Sequence, residues 1–385
     1  MLARRAEAIA SRNYGLDHNF AQEIMRTTIG YFLGTYEDWG GASRALLNFA
    51  RGIDRERFRP VVLLTKRGEL ANQLESARIE WFVWPTHDRG RNLLNYSAAI
   101  CRAARFFRRH SLQVLHVNYG VIGWKPAEVL AARLLRIPVI NHVHVNFGQP
   151  SSFIRYSSAV VAVSRYVADH SNSLGVPKHV IHNISDLERF GRGVSLRKEL
   201  GYSESDIIIA FFGQMIRVKG LEMFVDVATR IVDPRAKFIV AGPLRNTEGA
   251  YTPAEVQRLV ARDSRIQYLG YRSDVENLYA TSDIIVMPSQ WDEPCAMVLF
   301  EAAAAGRPVV ATATGGTPEI LRHGQTGFLV ARNDVRGMTG YVAQLIEDHQ
   351  LRNRLSTEAA DLARRSFAVD PVRQIEELYN ALTVG

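Results

Sequence analysis

Short apolar runs rich in β-branched residues alternate with longer amphipathic stretches along this chain, first over residues 28–163 and again over 207–311. The stretches between the runs have a helical apolar period, as in residues 42–51, whose apolar side chains fall on one face. Strands that alternate with crossover helices are typical of a parallel sheet. We therefore predict an α/β fold of two doubly wound units in series, joined near residues 184–195.

The apolar runs give the predicted strands. They cover residues 28–33, 60–65, 80–84, 113–118, 138–144 and 159–163 in the first unit, and 207–212, 237–241, 266–269, 284–288 and 308–311 in the second. We predict four segments of the chain: a basic N-terminal extension over 1–27, an N-terminal domain over 28–190, a C-terminal domain over 191–365, and a helix over 366–385 that packs back on the N-terminal domain.

Composition agrees with this organisation. The chain has 385 residues, enough for about two domains, and its 47% of hydrophobic residues excludes a disordered or collagen-like chain. Cys101 and Cys295 stand far apart without a CxxC motif, which argues against a disulfide framework or a cysteine zinc site and favours a reducing, cytoplasmic compartment. No apolar run approaches the roughly 18 residues of a membrane span, and residues 1–27 lack the pattern of a secretory signal.

Lysine and arginine outnumber aspartate and glutamate by 47 to 39, which gives a net charge of +8. This excess fits an anionic partner such as a nucleotide, a lipid head group or nucleic acid, and it also fits simple solubility. Nucleic acid is the least favoured of these partners, because no aromatic and basic platform accompanies the charge.

Ligands of open parallel sheets bind beyond the carboxyl ends of the strands, so the loops at those ends are the candidate site. Gly40 and Gly41 stand between the first predicted strand and the first predicted helix. Two glycines there allow backbone N–H groups at a helix N-terminus to approach a phosphate, although the same pair also suits an ordinary turn.

The first strand of the second unit leads into a loop that carries Gly213, Gln214, Arg217 and Lys219. Arg217 and Lys219 would neutralise a diphosphate, the arginine through its planar fork and the lysine as a point charge. The alternative for two such cations is a solvated loop.

The segment over residues 288–308 carries the densest pattern. Pro294 suits the first position of a helix, which would place Glu293 at the mouth of that helix and Glu301 two turns inside. Glu301 is the only charge in this apolar helix, and a buried carboxylate without a partner is costly. We predict that Glu301 faces water or holds a ligand hydroxyl such as that of a ribose. A second glycine pair, Gly315 and Gly316, is predicted to close on a polar ligand as well.

Glu293 and Glu301 form an E-x7-E pattern between a Pro-Ser strand end and an Ala-Gly-Arg-Pro-Val-Val strand start. With this pattern the sequence resembles the family 4 retaining glycosyltransferases of the GT-B fold, over about residues 28–380. The other motifs that carry the resemblance are Gly40-Gly41, Ala162-Val163-Ser164, Phe190, Gly213 with Lys219-Gly220, Leu269-Gly270 with Asp274-Val275, and Gly315-Gly316-Thr317-Pro318-Glu319.

The resemblance implies transfer of a sugar from a nucleotide diphosphate sugar with retention of configuration, in a cleft between two facing Rossmann-like domains, without a metal or cofactor. It implies that Glu301 holds the ribose hydroxyls, Glu293 the hydroxyls of the donor sugar, and Lys219 the diphosphate. His144, with His142 as its competitor, would line the sugar site. Glu293, His144 and Lys219 are thus the catalytic candidates.

The resemblance also implies that backbone N–H groups of Gly40, Gly41, Ala296, Met297 and Val298 complete the anion site. Departure of a nucleoside diphosphate develops charge on its β-phosphate, and cations and helix N-termini fixed beforehand stabilise that charge more than they stabilise the substrate. We favour a front-face reaction, in which the leaving phosphate takes the acceptor proton, over covalent catalysis by a carboxylate.

Three positions depart from the family pattern. Gln214 stands where many members have arginine, and we predict that Arg217 supplies the missing charge. Ala296 replaces the usual glycine, which adds a methyl where the backbone should approach the donor. Residues 183–186 lack the usual glycine after asparagine, so the conformation of the link between the domains is open.

Arg102, Arg105 and Arg109 fall near one face of a predicted helix, which would meet anionic lipid head groups or a charged glycan, or would simply be solvated. Taken with these features, the resemblance implies a hexosyltransferase that acts on a glycan or lipid-linked acceptor, in cell-surface polysaccharide or lipopolysaccharide synthesis, in the cytoplasm or at the inner face of the membrane. The alternatives are a nucleotide-sugar 2-epimerase and a degenerate GT-B scaffold used for binding.

Overall fold

The computed structural model describes residues 26–33, 40–85, 93–119, 125–145, 151–367 and 370–383. The predicted N-terminal extension therefore lies outside the described residues, apart from its last two. Elements are numbered below along the described part of the chain.

Two parallel sheets form the framework. The first has seven strands in the order β3-β2-β1-β4-β5-β6-β7, and the second has six in the order β10-β9-β8-β11-β12-β13. The strands of the first sheet are β1 Thr27–Leu33, β2 Phe58–Leu64, β3 Glu80–Val83, β4 Leu112–Tyr119, β5 Val139–Val143, β6 Ala159–Ala162 and β7 Lys178–Val180. Those of the second are β8 Ile207–Phe212, β9 Ala236–Ala241, β10 Ile266–Tyr268, β11 Ile284–Met287, β12 Val309–Thr312 and β13 Gly327–Val330.

Helices connect the strands. They are α1 Gly41–Gly52, α2 Glu69–Ser76, α3 Leu93–Arg109, α4 Ala127–Leu134, α5 Arg165–His170, α6 Leu187–Gly191, α7 Leu221–Arg230, α8 Pro253–Val260, α9 Val275–Thr281, α10 Met297–Ala304, α11 Thr317–Ile320, α12 Val335–Glu347, α13 His349–Leu362 and α14 Asp370–Thr383. Short 3₁₀ turns cover Ser152–Tyr156 and Arg217–Lys219, and a π turn covers Ala363–Phe367. Within the described residues, no helix combines the length and the apolar character that a membrane crossing requires.

The predicted pair of doubly wound α/β units is confirmed. Each sheet reverses its direction of winding at its first strand, β1 or β8, which is the strand flanked by its sequence neighbour on one side and by a later strand on the other. Crevices at the carboxyl ends of the strands form at such reversals. The edge strands β7 and β13 were not predicted, whereas the edge strands β3 and β10 were.

The last helix belongs to the core of the first sheet. Ile375, Leu378 and Tyr379 of α14 pack in one buried cluster with Ile29 and Tyr31 of β1. The apolar sides of α1 and α2 join the same cluster, whereas α3 and α4 cover the opposite face of the sheet. The first sheet is thus closed on one face by a helix that follows the whole second unit in sequence.

The link between the two units has a defined conformation without the glycine that the family pattern contains. Asn48 of α1 donates a hydrogen bond to the carbonyl of Ile184 at 2.8 Å. Asp186 accepts one from the backbone of Arg189 at 3.1 Å and so caps α6. Side chains on both sides of the link therefore fix its path.

Candidate active site

A pocket lies where the N-terminus of α1 faces the carboxyl ends of β8 and β9 and the helix α10. Six of the residues predicted to bind the donor line this one pocket: Gly40, Gly41, Gly213, Gln214, Val298 and Glu301. They come from both units, so the pocket lies between the two sheets.

The N-terminus of α1 is open toward the pocket. Gly40 occupies the N-cap position in an extended conformation, and no described side chain caps the helix. A Cβ atom added at Gly41 would meet nothing within 4 Å. The first N–H groups of a helix need acceptors and carry the positive end of its dipole. This end of α1 is therefore suited to an anionic ligand.

Glu301 is buried in α10, with 3% of its surface exposed, and has protein partners from both units. It forms an ion pair with Arg44 of α1 and accepts a hydrogen bond from the Tyr279 hydroxyl at 2.9 Å. The attraction of the Glu301 carboxylate raises the pKa of Arg44 above its usual range. The expectation that Glu301 would face water was thus wrong, because Arg44 and Tyr279 satisfy its charge inside the protein.

Lys219 and Glu293, predicted for separate roles, are bonded to each other. Lys219 Nζ donates to Glu293 Oε1 at 2.7 Å, and the Ser289 hydroxyl donates to the same oxygen at 2.6 Å. The Lys219 ammonium also lies 5.1 Å from the centre of the Trp291 ring. Glu293 is buried, so this arrangement holds a fixed carboxylate and a fixed cation side by side.

The helix after Glu293 begins later than the sequence predicted. Pro294 is not the first helical residue: α10 starts at Met297, with Ala296 at the N-cap in an ordinary extended conformation. The carbonyl of Glu293 accepts from the backbone N–H of Gly316 at 2.7 Å, so it is bound to a loop and not to the helix. The Ala296 side chain packs in a buried apolar cluster, which explains why alanine is tolerated at this position.

Gly315 and Gly316 lie against the segment that carries Glu293, and the Gly316 N–H is bonded to the Glu293 carbonyl, so contact of this loop with a polar ligand stays a prediction. A Cβ atom at Gly315 would lie 2.3 Å from the Glu293 carbonyl oxygen, and one at Gly316 would lie 2.5 Å from that of Pro294. Only glycine permits two backbones to approach so closely. This loop therefore supports the segment that carries Glu293.

Arg217 lies on a different surface from the pocket. It donates to Glu255 at 2.6 Å and to Glu222 at 3.1 Å, and its guanidinium covers the Tyr251 ring at 4.8 Å. The hydrogen bond to Glu255 raises the pKa of Arg217. Because two carboxylates already hold Arg217, the structure does not place its charge where we predicted it.

Arg245, which the sequence analysis missed, lines the pocket beside Gln214. In the amide orientation that satisfies its hydrogen bonds, Gln214 accepts from two nitrogens of Arg245 at 2.8 and 3.2 Å. The guanidinium is thus aligned by a neutral amide next to Gly213. Arg245 follows β9, and β9 pairs with β8, so the loops after these two strands lie side by side.

His144 follows β5 and is 9% exposed. Burial lowers its pKa to about 4, an effect that the neighbouring Asn183 side chain opposes. Asn183 in turn donates to the Cys295 carbonyl at 3.4 Å, which places His144 near the segment that carries Glu293. Its competitor His142 is buried deeper, where its ring contacts His116 at 3.1 Å.

The site thus combines an open helix N-terminus, a fixed lysine–carboxylate pair and a buried carboxylate that holds an arginine. Among the residues that the structure describes, no group of three or more histidine, cysteine, aspartate or glutamate side chains could hold a metal ion. An anionic ligand with hydroxyl groups fits these donors and acceptors.

Comparison with known proteins identifies the family. A model described as Glycosyltransferase Family 4 matches residues 39–189, and one described as Glycosyl transferases group 1 matches residues 206–348. The chain is 31% identical over 278 residues to the lipopolysaccharide core biosynthesis mannosyltransferase LpsB of Rhizobium meliloti, a match that covers 66% of this chain and 77% of LpsB. The chain belongs to the family 4 glycosyltransferases.

Other relatives agree with this assignment. The glycosyltransferase is 29% identical over 303 residues to the N-acetyl-alpha-D-glucosaminyl L-malate synthase of Bacillus anthracis, which covers 73% of this chain and 78% of that enzyme. Its fold matches Anabaena Alr3699/HepE in complex with UDP, with a TM-score of 0.78 and 22% identity over 92% of this chain and all of that one. It also matches WaaG, with a TM-score of 0.65 and 14% identity over 93% and 100% of the two chains. The predicted GT-B fold is confirmed.

Proposed function

We propose that this glycosyltransferase moves a hexosyl unit from a nucleotide diphosphate sugar to a glycan or lipid-linked acceptor, with retention of anomeric configuration, in the synthesis of cell-surface polysaccharide or lipopolysaccharide. The observation that carries the proposal is the single pocket in which the open N-terminus of α1, Arg245 and Glu301 meet. Similar proteins support it: LpsB is a mannosyltransferase of lipopolysaccharide core synthesis, and HepE binds UDP and UDP-glucose.

The nucleotide part of the donor occupies this pocket. Backbone N–H groups of Gly40 and Gly41, together with Arg245, hold the diphosphate. The Glu301 carboxylate accepts hydrogen bonds from the ribose hydroxyls. The same carboxylate forms an ion pair with Arg44, so the nucleotide must share or replace that contact when it binds.

The sugar lies toward Lys219, Glu293 and His144. As the bond from the anomeric carbon to the β-phosphate oxygen breaks, Lys219 stabilises the charge that develops on the phosphate. Glu293 accepts hydrogen bonds from sugar hydroxyls through the oxygen that Lys219 and Ser289 leave available. His144 closes the sugar site from the N-terminal unit.

Retention follows from attack on the face that the phosphate leaves. The acceptor oxygen forms its bond to the anomeric carbon, and its proton passes to the departing phosphate oxygen. This route needs no enzyme nucleophile. Oε1 of Glu293 already accepts two hydrogen bonds, which weakens it as a nucleophile and favours the role of orienting the sugar.

The acceptor side includes α3. Arg102, Arg105 and Arg109 are exposed on this helix, and Leu93 and Leu94 are exposed at its start, with 69% and 81% of their surface accessible. Basic and apolar side chains together suit an anionic membrane surface. We propose that α3 brings the enzyme to a lipid-linked acceptor at the inner face of the membrane. Flotation with anionic liposomes at low salt tests this contact, and absence of binding there would exclude it.

A panel of UDP-, GDP- and ADP-sugars tests the proposed reaction through thermal shift and slow donor hydrolysis. We expect donors with one particular base to raise the melting temperature of the protein, and one donor sugar to be released by hydrolysis. Lys219→Ala should lower kcat about 100-fold, the scale of losing a group that stabilises transition-state charge. Lys237→Ala is the matched control, because Lys237 lies at the amino end of β9 and pairs with Asp206. No shift and no hydrolysis with any donor would contradict the proposal.

A further inference from the structure

Five buried aromatic side chains form a continuous series that begins in β1, passes through α14, β4 and β5, and ends just after β5. Their order is Tyr31, Tyr379, His116, His142 and His144, and each is 9% exposed or less. Tyr379 Oη lies 2.9 Å from Tyr31 Oη and 2.6 Å from His116 Nδ1. His116 Nε2 lies 3.1 Å from His142 Nδ1. The His142 and His144 rings stack with their centres 4.3 Å apart.

The sheet and the last helix produce this series. Tyr31 of β1 and His116 of β4 are register partners in neighbouring strands, so their rings stack on the same face of the sheet, with centres 5.2 Å apart. His142 of β5 is in register with Asn118, two residues further along β4, and so faces the same side as His116. Tyr379 contacts Tyr31 and His116 from α14, which packs on that face of the sheet.

The hydrogen bonds give the series a direction. A tyrosine hydroxyl has one proton, and Tyr379 donates it to Tyr31. Tyr379 must therefore accept from His116, which places the His116 proton on Nδ1. His116 Nε2 is then an acceptor, so the proton of His142 is on Nδ1 as well.

His144 depends on this arrangement for its orientation. Both of its ring nitrogens are buried, and neither has a hydrogen-bond partner of normal geometry among the described residues. Stacking on His142 is the ring contact that holds it. The Nε2 atom of His142 also lacks a described partner, and in the tautomer derived above it is a bare acceptor with no buried proton to satisfy.

We propose that Tyr379 is a positioning residue for sugar transfer: its hydroxyl fixes the tautomers of His116 and His142 and, through the stacked rings, the orientation of His144. The proposal rests on the role proposed above for His144. It connects the last helix of the chain to the reacting sugar, although that helix lies outside the donor pocket.

The series conveys orientation and not charge. Burial lowers the pKa of His116 to about 3 and that of His142 well below its usual range. The imidazoles therefore stay neutral near neutral pH, and a neutral imidazole bonded on one nitrogen has its tautomer set by that bond.

Nitrogen-15 NMR of the histidine rings tests the proposal in the full-length protein. In the wild type, His116 and His142 should both carry their proton on Nδ1. In Tyr379→Phe the Nδ1–H of His116 loses its acceptor, so the hydrogen bond that sets its tautomer is gone, and the ring signals of His116, His142 and His144 should shift. The same variant should lower kcat about tenfold, as expected for a displaced active-site group, with less than twofold change in KM for the donor.

Tyr341→Phe is the control. It makes the same change in α12 of the second unit, so it should keep the wild-type tautomers and kcat within twofold. Nε2 protons in the wild type, or unchanged ring signals or kcat in Tyr379→Phe, would overturn the proposal. A wild type without any donor turnover would instead refute the proposed function, while the His144 signals would still decide whether Tyr379 sets that ring.

Discussion

Single residues in the pocket are paired with partners that are far away in the chain. Glu301 illustrates how far the sequence predicts the site. The pattern showed that a lone charge in an apolar helix must have a partner. The partner itself, Arg44, is 257 positions away and could not be read from spacing. Arg245 and its partner Gln214 are likewise far apart in sequence. Arg217 was predicted to supply the charge missing at Gln214 because the two residues are close in sequence.

The positions of Arg217 and Arg245 predict that substitution by alanine affects nucleotide binding strongly at Arg245 and little at Arg217. Arg245→Ala should weaken binding of the preferred nucleotide about tenfold or more, the usual scale for a lost hydrogen bond to a charged group. Arg217→Ala should change it less than about twofold, because Arg217 is held at an exposed surface by two carboxylates. Calorimetric titration with the nucleotide measures both. Weaker nucleotide binding in Arg217→Ala, without a change in Arg245→Ala, would instead support the prediction that Arg217 neutralises the diphosphate.

At the scale of elements, most strands and the loops that follow them were predictable, whereas the edge strands β7 and β13 and the start of α10 were not. β8 and β11 are continuous apolar runs, as expected for strands covered on both faces. β7 reads Lys-His-Val and has no such signal. The start of α10 was misplaced because a proline favours a helix start locally, whereas a hydrogen bond from Gly316 to the Glu293 carbonyl delays it.

Close contact between the Gly316 loop and the Glu293 segment predicts a strong effect of one methyl group. Gly316 has an ordinary φ of −80°, so Gly316→Ala brings no backbone strain, but its Cβ would lie 2.5 Å from the Pro294 carbonyl oxygen. We expect the Glu293 segment to move and kcat to fall about 100-fold, as for a misplacement of about 1 Å.

Gly340→Ala is the matched control for this prediction. Gly340 lies inside α12, and a Cβ atom there would meet nothing within 4 Å. It should keep wild-type kcat and gain stability of about 0.5–1 kcal/mol, because alanine is the better helix former. Equal kcat for the two variants would show that the glycine loop does not position Glu293.

At the scale of the whole molecule, Glu319 joins the two units away from the pocket. It accepts from the backbone N–H groups of Arg165 and Tyr166 at 2.8 and 2.9 Å, at the start of α5, and from His182 at 3.2 Å. Burial raises the pKa of Glu319, but these hydrogen bonds outweigh it and hold the pKa below its usual range. The carboxylate therefore stabilises the contact between the units.

This shift predicts how stability depends on pH. Because the folded protein holds the Glu319 proton less tightly than the unfolded chain does, the contribution is present above the ordinary glutamate pKa of about 4.3 and is lost as the pH falls from there through the lowered pKa of the folded state. Glu319→Gln should lower the melting temperature by about 2–4 °C at pH 7, and the difference from wild type should shrink as the pH falls below the ordinary glutamate pKa. Glu358→Gln, which changes an exposed pair within α13, should show no such difference. A larger difference in melting temperature between Glu319→Gln and wild type at acid pH would contradict the stabilising role of the Glu319 carboxylate.

The position of α14 in the first sheet has a consequence for biosynthesis. Ile375 and Tyr379 are part of the core that β1 begins, yet they are translated after the whole second unit. The second unit is complete in sequence before α14 is made. In a nascent chain, one apolar face of the first unit therefore stays uncovered until α14 emerges, which is after the second unit has been translated.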